Sequence, residues 1–282
     1  MAGGTHVNRI SLELRRATAP LRPLPDFLII GADESGARYL YSALCEHPAV
    51  CRSDADEVHY FDVRYTYGRR WYRAQFPTRT HRSAIERRIG MRTIAGEVSP
   101  YYLFHPFAPT RAVDAVPHAK LVALLRNPIE RAILRYHLMV ELQKEHRSLG
   151  DALTADERRL DEGRSFDADG YDDPNGPARH HTYLERGHYD EHLERWYRCF
   201  DHSQLLVLEA RTVTAAEGVR RVLNFLGLPD GEKVRPVRFD PCPPVNSVLW
   251  RQLSRHFAPH NERLFQLLGV EWDWDGRSSQ ES

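Results

Sequence analysis

"DFLIIGADESGARYL", residues 26–40, decides the fold of this chain. Residues 26–30, "DFLII", hold after Asp26 a continuous apolar run of the kind that forms a strand buried on both faces of a parallel sheet. The run meets Gly31, crosses a short loop and re-enters an apolar pattern at helical spacing, with Leu40, Ala43 and Leu44 on one side and Pro48 closing the segment. A strand that turns through glycine into a helix is an anion site in physical terms. The first helical N–H groups have no partner inside the helix, and the helix dipole adds partial positive charge there. Gly31 and Gly36 have the G-x-x-x-x-G spacing of a nucleotide phosphate loop, but Ala37-Arg38 stands where Lys-Ser/Thr must follow. A nucleotide hydrolase lacks here both its phosphate lysine and its magnesium hydroxyl. The bland reading is a plain strand-to-helix turn without a ligand.

Other segments repeat the strand-then-helix pattern. "TIAGEVS" (93–99), "KLVALL" (120–125) and "QLLVLEA" (204–210) read as buried strands. The third strand runs into "RNPIERAILRYHLMVELQK", where Asn127 is an N-cap and Pro128 occupies the first helical position. "TAAEGVRRVLNFLGL" (214–228) is an amphipathic helix ending at Gly227, "YTYGRRWYRAQF" (65–76) a further helix, and "EVHYFD" (57–62) a short strand or strand-like loop. The alternation predicts an α/β fold with a central parallel sheet flanked by helices.

Residues 1–24 are polar and arginine-rich and are expected to form a loose arm before a domain over 25–274, with a disordered tail at 275–282. The polar, acidic stretch 145–182 reads as a mobile insertion or lid over the site. The formal net charge of zero gives no field for nucleic acid or an acidic membrane. No segment approaches the ~20 consecutive apolar residues of a membrane span, and the N-terminus lacks the apolar core of a signal peptide. Cys45, Cys51, Cys199 and Cys242 are scattered and form no CxxC. Reduced thiols and a cytoplasmic location are expected. Lys120, Lys144 and Lys233 are the only lysines, so arginine carries the positive charge. Arginine favours bidentate grips on phosphate or carboxylate.

"HYDEH" (188–192) fits H-x-x-E-H, a zinc-peptidase pattern, but no third ligand is placed, and no metal is expected. A Ser-His-Asp hydrolase lacks its G-x-S-x-G elbow. Trp71, Tyr72, Tyr101 and Tyr102 either line an acceptor pocket or pack in the core.

Taken together, "PDFLIIGADESGARYLYSALCEHP", "DEVHYFD", "GEVSPYYLFHP", "KLVALLRNPIERAILRYHL", "RGHYDEHLERWYRCF" and "FLGLP" resemble, in order, the landmarks of the PAPS-dependent sulfotransferases, in the branch similar to heparan-sulfate sulfotransferases. The resemblance covers about residues 25–274. It implies a three-layer α/β fold and transfer of a sulfuryl group from PAPS to a hydroxyl or amine of a small metabolite or carbohydrate. It also implies that Ser35, Gly36, Ala37, Arg38 and Arg126 hold the PAPS co-substrate. The base is Glu57, the Glu of the family's K-E-x-H, with His59 beside it, and Glu97 and Tyr101 face the acceptor. If 57–62 is extended, Glu57 and His59 share one face and one pocket. His59 alone reads equally as a structural histidine.

The departures cluster on the donor side. The loop lysine is Glu34, its two threonines are Ala37 and Arg38, the lysine before the S/T-P step is Val98, the lysine before the base is Asp56, and the 3′-phosphate serine is Leu134. One unit-charge pair at about 4 Å and an effective dielectric of ~20 amounts to roughly 4 kcal/mol, so Lys-to-Glu inverts a term of that size. Arg38 at the helix start is expected to grip phosphate instead, or to pair with Glu34. The alternative reading keeps the fold without PAPS, as a binding protein or as an enzyme using Glu57 and His59 for acid–base chemistry.

Overall fold

The computed structural model describes residues 9–161, 168–229 and 235–274. In chain order the elements are α1 (Arg9–Ala17), β1 (Phe27–Gly31), α2 (Ala37–Leu44), β2 (Val50–Cys51), α3 (Gly68–Ala74), α4 (Arg79–Ile89), β3 (Ile94–Val98), α5 (Ala108–Ala115), β4 (Lys120–Leu125), α6 (Pro128–Glu141), α7 (Leu149–Asp161), α8 (Ala168–Asp172), α9 (Pro177–His180), α10 (Tyr189–Tyr197), β5 (Leu205–Glu209), α11 (Ala216–Leu226) and α12 (Ser247–Leu268). The five strands form one parallel sheet in the order β2-β3-β1-β4-β5.

The apolar run of β1 explains the layering. Alternate residues of a strand face opposite sides of the sheet. Phe27 and Ile29 pack with Leu40, Tyr41 and Leu44 of α2 and with Val219, Val222 and Leu223 of α11. Leu28 and Ile30 pack on the other side with Tyr72 of α3, Ala112 of α5, Leu193 and Trp196 of α10 and Leu264 of α12. Each such fully buried aliphatic side chain contributes about 1.5–3 kcal/mol, which is why a two-faced apolar strand settles at the centre of a three-layer sandwich. The first strand lies between β3 and β4, so later strands were added on both sides of it, and the crevice at its carboxyl end is the switch point where ligands bind in such sheets.

One open alternative is settled and two expectations change. The segment 57–62 is a loop and not a strand: 57–59 are irregular and 60–62 turn, with His59 left-handed at φ 53°. The arm is helical over Arg9–Ala17 and tied down, with Arg15 Nε donating to Ala74 O at 2.7 Å and Arg22 buried; residues 1–8 lie outside the described residues. The insertion carries α7, α8 and α9 and packs onto the body, with Ala152 and Leu153 against Ile129, Ile133 and Met139 of α6; residues 162–167 and the expected tail at 275–282 lie outside the described residues. The sequence reading also missed α12, which buries Leu264 in the core on one face of the sheet and Leu253 and Phe257 against Ile129 and Ile133 of α6, despite Pro259 in its middle.

Candidate active site

The crevice is built from segments that follow the carboxyl ends of β1, β2, β3 and β4, with α9 and the 185–187 turn laid across it. Gly36 caps α2 with φ 82°, a backbone that glycine adopts at no steric cost, and the ring of Phe239 occupies the space a Cβ there would need. Ser35 is buried, its hydroxyl on Asp33 O at 3.3 Å, and Ala37 is buried behind it. The loop thus keeps the shape of an anion cradle.

Its charges are arranged differently from the sequence expectation. Glu34 pairs with Arg135 of α6 at 3.2 Å rather than with Arg38. Asp33 pairs with Arg186. Burial opposes ionisation of Asp33, but Arg186, Arg135, Arg179 and Arg131 outweigh it and hold the carboxyl well below its ordinary range. For Glu34 burial wins over Arg135, and Asp33 adds to it, so its pKa is raised. Arg126 is already engaged: Nε donates to Glu130 at 2.7 Å, Nη1 to Glu34 O at 3.4 Å and Nη2 to Asp240 O at 3.1 Å. Arg38 is 70% exposed and points to the acceptor side, 3.6 Å from Glu57. Among the described residues, Arg131 Nε and Nη1, Arg135 Nε and Arg179 Nη1 are buried and have no hydrogen-bond partner. Buried guanidinium donors without acceptors, beside a loop of helix-start amides, fit an anionic group such as a phosphate. The lysine at the loop is missing; the cation nearest its place, Arg135, comes from α6.

The acceptor side is a chain of charges. Asp62 accepts from His59 Nδ1 at 2.7 Å, and Glu57 faces His59 Nε2 at 2.9 Å. Burial disfavours the imidazolium, but Asp62 and Glu57 outweigh it and push His59 up to about 9. Glu57 is lowered: burial acts against its charge, and the bond from His59 and the nearby Arg38 prevail. Arg179 of α9 lies 3.1 Å from His59 Nε2 and 3.9 Å from Asp62. At neutral pH His59 therefore donates in both directions and holds Glu57, which is 27% exposed, as a carboxylate at the cleft. The left-handed His59 brings the two side chains together, where the expectation had invoked an extended pleat.

Glu97 and Tyr101 do not open to the cleft; both are fully buried. Glu97 accepts from Tyr72 OH at 2.7 Å and Ser99 Oγ at 2.9 Å, and Ser99 Oγ accepts from His59 N at 2.8 Å. Burial raises Glu97 to about 7 against those bonds. It braces the His59 turn from beneath. Tyr101 is a floor under two guanidinium groups, those of Arg179 and Arg186, each 4.6 Å from its ring. Trp71, Tyr72 and Tyr102 pack in the core.

Residues 24–239 match the family model described as "Sulfotransferase domain". The chain belongs to the sulfotransferase family. Among curated relatives, mouse heparan sulfate glucosamine 3-O-sulfotransferase 3A1 is 29% identical over 90% of this chain and 65% of its own length. Human heparan sulfate glucosamine 3-O-sulfotransferase 6 is 28% identical over 90% of this chain and 74% of its own. The chain thus spans about two thirds of the mouse relative. A crystal structure of a sulfotransferase from Alicyclobacillus acidocaldarius superposes with TM-score 0.67, at 24% identity, over 90% of this chain and all of that one, and shows the same fold. Among the described residues no helix of this sulfotransferase-family chain is long and apolar enough to cross a membrane.

The structure adds residues that sequence reasoning did not single out. Asp62 lies in the quoted "DEVHYFD", three residues after His59, but a turn rather than a strand is needed to see that it reaches Nδ1. Arg135, Arg179 and Arg186 lie on helices and in the polar insertion, where a charged residue ordinarily reads as solvated surface.

Proposed function

We propose that the protein transfers a sulfuryl group from PAPS to a hydroxyl or amine of a carbohydrate or small metabolite. The observation that carries this reading is the Glu57–His59–Asp62 chain set against a phosphate-type loop on one crevice of a sulfotransferase-family fold. In the reaction the acceptor oxygen or nitrogen forms a bond to sulfur, the bond from sulfur to the bridging oxygen of PAPS breaks, PAP leaves, and the acceptor's proton passes to Glu57. A carboxylate of lowered pKa suffices as base because the acceptor grows acidic as its bond to sulfur forms. The PAPS-binding set would be the loop amides around Ser35, Gly36 and Ala37, with Arg126 and the buried arginines. Arg38, beside Glu57, is placed to meet the transferring group rather than the 5′-phosphate alone. A glucosamine hydroxyl is the first acceptor to try, because the similar proteins are heparan sulfate glucosamine 3-O-sulfotransferases.

One observation favours the second reading, a protein of this fold that does not use PAPS. Two carboxylates, Asp33 and Glu34, line the loop and already neutralise Arg186 and Arg135. Calorimetric titration with PAP and then PAPS separates the two. Micromolar binding, with Tm raised by several degrees at 100 times the dissociation constant, upholds sulfuryl transfer. No binding at millimolar PAP overturns it and leaves the cleft around Glu57 for other acid–base chemistry or for binding alone.

A further inference from the structure

Glu97 of β3 carries a charge where the fold can least accommodate one. It is fully buried, and its hydrogen-bond partners among the described residues are hydroxyls, with no cation. Tyr72 OH donates to Oε1 at 2.7 Å, Ser99 Oγ to Oε2 at 2.9 Å, and Tyr102 OH to the two oxygens at 3.3 and 3.2 Å. Removing a carboxylate from water without a cation is costly, and an apolar residue would serve stability better. Such costs gather at functional sites.

Two of these hydroxyls have a second task. His59 N donates to Ser99 Oγ at 2.8 Å, and Tyr60 N and Phe61 N donate to Tyr102 OH at 2.7 and 3.2 Å. Successive amides of a turn that point the same way form a nest that ordinarily takes an anion. Here two hydroxyl oxygens occupy it, and their protons go to Glu97. The charge of the carboxylate therefore reaches the turn through a relay, in which each hydroxyl accepts from the turn and donates to Glu97, and linked bonds of this kind strengthen one another. The carbonyls before the turn are held by another group: Arg64 Nη1 donates to Glu57 O at 3.1 Å and to Val58 O at 2.8 Å.

We propose that Glu97 is a positioning residue for the Glu57–His59–Asp62 chain: through Ser99 and Tyr102 it fixes the left-handed turn that lays Glu57 against His59, and so sets the base on which the proposed transfer depends. Glu97 touches neither donor nor acceptor. Its effect passes through the backbone of residues 59–61, which decides whether His59 Nε2 stays at 2.9 Å from Glu57. Loss of either hydroxyl leaves a buried amide of the turn without its acceptor, and the turn must relax to find another. The inference rests on the sulfuryl-transfer reading only for the fate of the acceptor's proton. The pairing of Glu57 with His59 is present without donor or acceptor, and can be measured so.

The test follows the His59 ring nitrogens across pH by two-dimensional NMR in the ligand-free full chain, with His59→Gln identifying the resonance. Ser99→Ala and Tyr102→Phe each delete one oxygen and change no charge at neutral pH. In both, the His59 midpoint is expected to fall from about 9 toward the ordinary 6.5. In both, kcat for sulfuryl transfer is expected to fall by about tenfold to a hundredfold, with KM for PAPS unchanged. Glu97→Gln, which puts an NH2 donor where a second acceptor oxygen stood, does the same. Tyr41→Phe is the control: it removes a buried hydroxyl that donates to Gly96 O at 2.7 Å and accepts from Ser53 N at 2.8 Å on the other face of the sheet. It should lower Tm and leave the His59 midpoint in place. The inference is overturned if the midpoint in Ser99→Ala and Tyr102→Phe matches that of the wild type, or if Tyr41→Phe moves it as far. A wild-type chain that does not bind PAP sinks sulfuryl transfer but leaves the midpoints to be read, so the two failures are told apart.

Discussion

At the scale of single residues, the proposed transfer gives Glu57 the work of the base and His59 that of its holder. Glu57 is the partly exposed carboxylate, so Glu57→Gln should lower kcat for sulfuryl transfer by about 10²–10⁴ while PAP binds as before in calorimetry. Equal loss of PAP affinity would place Glu57 on the donor rather than the acceptor. His59 makes a pH prediction. Its folded pKa of about 9 lies above the ordinary 6.5, so the proton it holds between Asp62 and Glu57 stabilises the fold. A raised histidine contributes fully below pH 6.5 and loses that contribution as pH rises through 9. Two to three pKa units correspond to roughly 3 kcal/mol. The Tm gap between wild type and His59→Gln should therefore be widest near pH 6 and shrink toward pH 10. A gap that grows with pH would mean that His59 is neutral in the fold.

At the scale of elements, the loop after β1 and helix α6 carry one charge pair between them. Glu34 and Arg135 are both buried. Breaking such a pair from one side costs about 3–5 kcal/mol because a buried charge is left uncompensated, whereas replacing both by apolar groups is often neutral. Arg135→Leu should lower the free energy of unfolding in a urea titration by that amount, and Glu34→Leu/Arg135→Leu should restore most of it. Additive losses would mean that the two side chains do not meet. This pair also shows where sequence reading stops. The strands β1 and β4 were legible because a strand buried on both faces is apolar nearly throughout, and β3 and β5 because short aliphatic runs there stand between turn residues. Asn127, which accepts from Ile129 N at 2.9 Å, was legible because a cap is a local matter. Glu34 read as a lost lysine because the compensating arginine is about a hundred residues away, on a helix face that sequence marks as polar. The two-residue β2 and the left-handed turn at His59 were hidden for the opposite reason: each is too short to leave a periodicity.

At the scale of the whole molecule, the insertion is the piece whose role the sequence left most open, and its contacts give it one. The sheet supplies Glu57, His59 and Asp62 from a turn on one side of the crevice, while α9, some 120 residues later, brings Arg179 to within 3.1 Å of His59. A positive charge at that distance works against the imidazolium, and Arg179 is among the groups that lower His59 from where Asp62 and Glu57 would place it. If the insertion closes over the triad in solution, Arg179→Ala must let the His59 titration midpoint rise further above about 9. The midpoint can be followed by the pH dependence of the histidine ring nitrogens in two-dimensional NMR, with His59→Gln identifying the resonance. If the insertion instead stands away from the crevice, the midpoint will not move, because exposed charges more than about 10 Å apart are screened at ordinary salt. An upward shift that salt leaves unchanged is the signature of contact at short range, and it would assign to the 145–182 stretch the setting of the charge state of the triad on which the proposed transfer depends.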